Sequence, residues 1–230
     1  VYRRLVEPLL GGVHAGDPAQ LSARSTAPEV YAIAAGHRSV YTSLRKRRAA
    51  TPPPSGPRKA PLVSLDGGLS SLTQALIASI GPERIRTGTP VRSLSPGWTV
   101  ETEHERLHAD RVVLAIPAHR AAGLLDFNPE LAGLLRSIPF VDVANATLAF
   151  RRQDLPSLPL GTGFLVPPVE GRFIVGCSWL TNKWPYLAND DTALIKCMVG
   201  RAGDRRWLDM TDAQIVEGVR KDLSDMLGIA

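Results

Sequence analysis

The chain has 230 residues, 44% hydrophobic and 21% charged, with 27 Lys+Arg against 22 Asp+Glu and a formal net charge of +5. That is ordinary globular composition, with room for one large domain or two small ones; the mild positive excess suits a polycarboxylate ligand or an anionic surface but decides little. Two distant cysteines, Cys177 and Cys197, argue against a disulfide scaffold or a cysteine-rich zinc site and for a reducing compartment, and no apolar run approaches the roughly 18 residues that cross a bilayer.

Residues 3–10 carry Leu5, Val6, Leu9 and Leu10 on one helical face, and Gly11-Gly12 is expected to end that helix. Arg3, Arg4 and Glu7 interrupt any leader-like apolar stretch. A second helix is predicted from Pro28-Glu29 through Ile33 and Tyr41 to the basic run Arg45-Lys46-Arg47-Arg48, where positive charge suits a helix C-terminus. Thr51–Pro61 holds five prolines in eleven residues and reads as a linker, the main internal boundary.

Beyond it, Leu62–Leu65 is predicted as a strand and Asp66-Gly67-Gly68 as a turn. Leu69, Leu72, Ala75, Leu76 and Ile80 form the expected buried stripe of a helix that Gly81-Pro82 ends. Strands are predicted at 84–87, 90–94, 98–102 and 111–116. The last contains Val112–Ile116, continuously apolar like a strand buried on both faces. Helices at 121–125 and 131–135 follow, then strands of a second sheet at 141–150, 163–166, 173–179 and 193–199. Thr211 with Gln214 makes a capping box, Ile215, Val219 and Leu223 continue one helical face, and Gly228 is a natural helix end.

His104-Glu105-Arg106-Leu107-His108 satisfies the zinc-protease pattern H-E-x-x-H, which needs both histidines one turn apart on a helix. Here Trp98–Thr102 alternates like a strand and Asp110 leads into the next one, so an exposed hairpin turn is predicted and no metal site is assigned. Gly161-Thr162-Gly163 supplies only two glycines of the dinucleotide fingerprint and precedes a strand, so it reads as a loop. The Arg45–Arg48 run lacks interleaved aromatics to stack bases, which disfavours nucleic acid. It reads as a solvated helix end, with contact to anionic lipid left open.

Several motifs occur in a fixed order. Glu7-Pro8 is followed by Gly12-Val13-His14-Ala15-Gly16-Asp17. Leu65-Asp66-Gly67-Gly68-Leu69 precedes Thr89-Pro90-Val91-Arg92 and then Ala109–Pro117. Gly161–Pro167, Ser178–Pro185 and Met198-Val199-Gly200-Arg201-Ala202-Gly203-Asp204 complete the series. Together they resemble the oxygen-dependent protoporphyrinogen and coproporphyrinogen oxidases, flavoproteins of the flavin amine oxidase superfamily, over nearly the whole chain. The Met198–Asp204 motif is similar to Gram-positive members.

The resemblance implies an α+β or α/β fold: an incomplete Rossmann-like FAD-binding domain joined to a substrate domain with a mixed sheet and helices. Residues 1–60 would be a helical segment on the membrane or substrate side. Residues 61–125 would be part of the FAD-binding domain, and residues 126–230 a truncated substrate-binding domain. The chain resembles a central fragment, expected to bind FAD weakly or not at all and to be inactive alone.

The implied activity is FAD-dependent oxidation of a porphyrinogen to the porphyrin with O2 as acceptor, in haem biosynthesis. It leaves open coproporphyrinogen or protoporphyrinogen, with the Gram-positive likeness favouring the former. The implied cofactor contacts are Val91 at the adenine end, and Ala115 and Pro117 near the flavin. The implied substrate contacts are Gly12, through its backbone, and the walls Leu165, Val175 and Met198, for which plain core packing is the alternative. The carboxylate partners stay unassigned, with Arg38, Arg45 and Lys183 as candidates, and no catalytic base is identified. A cytoplasmic location is expected, with peripheral membrane contact open. The rival readings are another flavin amine oxidase and a non-catalytic small-molecule-binding fragment.

Overall fold

The computed structural model describes residues 2–37, 39–50, 63–155, 157–187 and 191–229. The chain divides into two compact units, residues 1–59 with 141–230 and residues 60–140.

A π-helical turn over Tyr2–Val6 runs directly into α1 (Glu7–His14). Contrary to expectation, α1 passes through Gly11-Gly12 and turns only at Ala15, whose φ of 53° is left-handed. Glycine weakens a helix but does not forbid it, and here it permits close packing. The single helix predicted from Pro28 is two, α3 (Pro28–Gly36) and α4 (Val40–Ala50), preceded by the short α2 (Ala23–Thr26). Gly36-His37 breaks the run, and Ser39 restarts it by accepting a hydrogen bond from the Thr42 amide at 3.3 Å. The proline-rich segment Thr51–Pro61 lies outside the described residues.

In the unit of residues 60–140, the Gly68 amide donates to the Leu65 carbonyl at 2.9 Å, closing the predicted turn ahead of α5 (Ser70–Ile80). The stripe predicted as buried on this helix is not: Leu69 is 71% and Leu76 52% exposed. β1 (Val91–Ser95), β2 (Thr99–Thr102) and β3 (Arg106–His108) form an antiparallel sheet in that order.

Other strand predictions fail here. Residues 63–65 and 85–87 do not form strands, and Pro82–Arg84 is a 3₁₀ turn. Val112–Ile116 is not a strand, and Val113 is 89% exposed. Apolar composition marks a segment that seeks burial, but a strand forms only where neighbouring backbone completes its hydrogen bonds. The small core gathers Leu94 with Ala122 and Leu125 and with Ala132, around α6 (Ala118–Gly123) and α7 (Pro129–Arg136).

The second sheet contains β4 (Ala144–Arg151), β5 (Gly163–Leu165), β6 (Ile174–Trp179) and, after the short α8 (Leu180–Lys183), β7 (Thr192–Val199). Its order is β4-β7-β6-β5, every neighbour antiparallel. Period-two alternation decides its faces: Ala193, Ile195, Cys197 and Val199 of β7 are buried while Leu194, Lys196 and Met198 are only half-buried.

The buried side packs against α9 (Asp212–Leu227) through Val219 and Leu223. The predicted capping box is present: the Gln214 amide donates to Thr211 Oγ1 at 3.4 Å and the Thr211 amide to Gln214 Oε1 at 2.8 Å. Gly228 ends α9 in the left-handed region. Among the described residues no helix is long and apolar enough to cross a membrane.

Candidate functional site

The H-E-x-x-H residues lie on a turn and a strand. Thr102 Oγ1 accepts the His104 and Glu105 amides, Glu105 pairs with Arg86, and His108 of β3 meets Thr99 Oγ1 through Nδ1 at 3.0 Å. The two histidines therefore never share a helical face.

The four residues expected at the substrate gather in the unit that carries the four-stranded sheet. Leu165 pairs across the sheet with Gly176, Gly176 with Met198, and Met198 with Asn145, one row perpendicular to the strands. Gly176 is buried with no side chain of its own. A β-carbon there would lie 3.0 Å from both Leu165 Cδ2 and Met198 Cε, so these two side chains close over the glycine as an apolar floor. Gly12, on α1, approaches this floor from above: its own β-carbon would lie 2.6 Å from Leu165 Cδ2. The helical glycine thus brings backbone, rather than a side chain, against the leucine.

Val175 departs from this row. It lines a neighbouring cavity of about 280 Å³ together with Gly12 and Val166. The polar rim includes Glu7, Asp17, Arg201 and Asp204. The turn after β7 builds that rim: the Ala202 amide donates to the Ala15 carbonyl at 2.7 Å, tying the Arg201–Asp204 turn to the end of α1. Arg206 grips Asp204 through two guanidinium hydrogen bonds, at 2.7 and 2.9 Å, and its backbone amide at 3.4 Å, and holds its carboxyl below the usual range. Arg201 stands farther from Asp204, at 3.8 Å; burial lowers its pKa, opposed by Asp204.

The three residues expected at the cofactor lie in the other unit. Val91 begins β1, an edge strand, and its ladder is shifted between Val91 and Ser93. Ala115 and Pro117 are exposed in the segment before α6, outside either sheet, and the Pro117 carbonyl accepts the Arg120 and Ala121 amides at 2.9 and 3.0 Å. Of the carboxylate candidates, Arg45 is exposed on α4 and Lys183 lies 5.7 Å from the Trp184 ring centroid, while Arg38 falls outside the described residues.

Sequence reasoning missed Gly176, although a lone glycine inside an apolar strand is a signal for close approach. It also missed Arg201 and Asp204 as cavity residues; nothing in their spacing announces that Arg206 would take Asp204 first.

The flavin containing amine oxidoreductase pattern matches residues 1–230. The chain belongs to that family. Coproporphyrinogen III oxidase of Bacillus subtilis (strain 168) is 31% identical over 238 residues, covering 100% of this chain and 50% of that protein. The enzyme of the same name from Mycobacterium tuberculosis (strain ATCC 25618 / H37Rv) is 33% identical, covering 100% and 49%. Protoporphyrinogen oxidase 1, chloroplastic, of Arabidopsis thaliana is 25% identical, covering 99% and 47%. A crystal structure from Exiguobacterium sp. 255-15 assigned as a protoporphyrinogen oxidase superposes with a TM-score of 0.82 at 28% identity, covering 99% of this chain and 48% of that one. The chain therefore spans about half the length of the relatives it matches.

Proposed function

We propose that this chain carries the substrate face of a flavin-dependent porphyrinogen oxidase, which converts a porphyrinogen, coproporphyrinogen III first, to the porphyrin with O2 as acceptor, in haem biosynthesis. The observation that carries this reading is the floor of Leu165 and Met198 closed over Gly176, with Gly12 against Leu165. A porphyrinogen is a broad apolar macrocycle. It needs a low apolar surface and backbone carbonyls for its pyrrole N–H groups, which a floor with a bare glycine helix beside it offers.

FAD, when bound, supplies the redox chemistry. The residues present fit the margin of such a group. Val91 on an edge strand and Ala115 in a segment outside the ladders present backbone groups that a ligand can use, and the exposed Pro117 stands beside them with its carbonyl already engaged by the Arg120 and Ala121 amides. The exposed Leu69, Leu76 and Val113 fit a nucleotide domain whose sheet is completed by residues beyond this span. In this reading residues 61–125 belong to the FAD-binding domain, and residues 1–60 and 126–230 to the substrate side. In this reading the protein is cytoplasmic, with peripheral membrane contact as the rival arrangement.

Titration of the chain with coproporphyrin III, followed by Soret absorbance, tests the reading. Saturable one-to-one binding is expected, with Leu165→Asp and Met198→Asp each lowering affinity more than tenfold. No saturable binding, or unchanged affinity in both variants, overturns it.

A further inference from the structure

Lys196 stands two residues before Met198 on β7, on the same side of the sheet as the apolar floor, because Ile195 and Cys197 between and beside them turn into the core. Its row runs Gly163, Ser178, Lys196, Thr147, directly beside the row Leu165, Gly176, Met198, Asn145. The hydroxyl-bearing residues Ser178 and Thr147 are its immediate cross-strand neighbours.

The lysine is half-buried, and among the described residues no carboxylate comes within 4.0 Å of its ammonium. Elsewhere this chain pairs its basic groups readily: Arg151, one strand over and nearer the sheet's end, is held by Asp154 at 2.7 Å. Both floor rows of this face lack Asp and Glu altogether. An ammonium with no carboxylate beside it, among hydroxyl-bearing neighbours, is open to a ligand that brings its own negative charge.

We propose that Lys196, flanked by Ser178 and Thr147, binds a side-chain carboxylate of the macrocycle and so makes the site select a macrocycle with free carboxylate arms over its ester. The proposal rests on the reading that the adjoining floor receives the macrocycle. The spacing fits: two residues along a strand span roughly 7 Å, about the reach of a propionate arm from the edge of a ring lying on Met198. The floor supplies non-directional apolar contact, which any porphyrin shares. Lys196 supplies the directional, charge-assisted contact, which separates a carboxylate from its ester.

The experiment compares the 230-residue chain with Lys196→Met and Lys196→Arg, titrating each with coproporphyrin III, protoporphyrin IX and coproporphyrin tetramethyl ester. Methionine keeps much of the apolar stem and loses the charge. Lys196→Met is expected to weaken coproporphyrin binding about tenfold, the scale of one charge-assisted hydrogen bond, and to leave the tetramethyl ester within twofold. Lys196→Arg is expected to restore affinity to within threefold of the parent chain. Equal loss for acid and ester, or no loss for the acid, overturns the role of Lys196 while the floor reading stands. Failure of the unsubstituted chain to bind acid or ester overturns both.

Discussion

Gly12 and Leu165 are set so close that a β-carbon on Gly12 would lie 2.6 Å from Leu165 Cδ2 and 3.3 Å from Cδ1. The contact joins α1 to the sheet edge strand β5 and explains why a helix tolerates Gly11-Gly12 in its second half. Two opposing effects then govern any larger residue at position 12. Replacing glycine inside a helix gains roughly 1 kcal/mol of propensity, whereas forcing a methyl into a filled contact costs about 1–3 kcal/mol.

Gly12→Ala is therefore expected to destabilise the chain by about 1 kcal/mol, the crowding outweighing the helix gain. In a Leu165→Ala background the crowding disappears, and the same substitution is expected to stabilise by a similar amount. Urea denaturation of the four members of this cycle reads the sign change directly. A Gly12→Ala effect of one sign in both backgrounds shows that the two residues do not compete for the same space.

The part of this fold that satisfies itself locally was legible in the sequence. Thr211, Gln214 and Gly228 announce α9 because capping groups act within a few residues, and the alternation through Ala193, Ile195, Cys197 and Val199 announces β7 because one sheet face is buried. Val112–Ile116 shows the opposite case. Its composition records a demand for burial, yet strand formation depends on backbone partners that no local pattern specifies, and Val113 stays exposed. The stripe on α5 fails for the same reason. At the candidate site, Leu165 and Met198 were named through a resemblance, but their meeting over Gly176 is a consequence of register, which the sequence leaves open until β5, β6 and β7 are aligned.

The Asp204–Arg206 pair predicts a specific acid sensitivity. Arg206 hydrogen bonds hold the Asp204 carboxyl below its ordinary 3.8. The folded chain then binds fewer protons than the unfolded one, so this pair adds stability above the unfolded value and loses it as pH falls through the lower folded value. Asp204→Asn is expected to be less stable than the parent at pH 6, and the gap is expected to close below about pH 4. Urea midpoints at pH 6, 4 and 3 check this; a gap that is constant across the three rules out the ionised pair as its source.

Cys177 and Cys197 face each other across β6 and β7 with Sγ atoms 3.7 Å apart, both buried. The neighbouring thiol and, after it, burial push the Cys177 thiol well above the ordinary range. Since the thiolate is the reactive form, alkylation by iodoacetamide at pH 8 is expected to be negligible in the folded chain and to rise with the unfolding transition. Labelling of either residue at the rate of a free thiol under native conditions contradicts this burial.

Asp222 gives the sharpest stability test, because the same basic residue has a buried and an exposed partner. From inside α9, Asp222 Oδ2 accepts the Phe173 amide at 2.7 Å and the Ile174 amide at 3.0 Å, fastening the start of β6 to the helix. Arg172 reaches Asp222 at 3.5 Å and the more exposed Asp225 at 2.6 Å. Distance alone ranks Asp225 first, but an exposed ion pair contributes at most about 1 kcal/mol, whereas stranding the buried Ile174 amide and the part-buried Phe173 amide costs about 1–3 kcal/mol for each donor. Asp222→Ala is therefore expected to destabilise by about 3 kcal/mol and Asp225→Ala by less than about 1 kcal/mol. Asp222→Asn, which keeps an acceptor oxygen for the amides, is expected to fall between them. Chemical denaturation of the three variants decides the order. Equal losses from Asp222→Ala and Asp225→Ala show that the charge pair, rather than the captured backbone, joins β6 to α9.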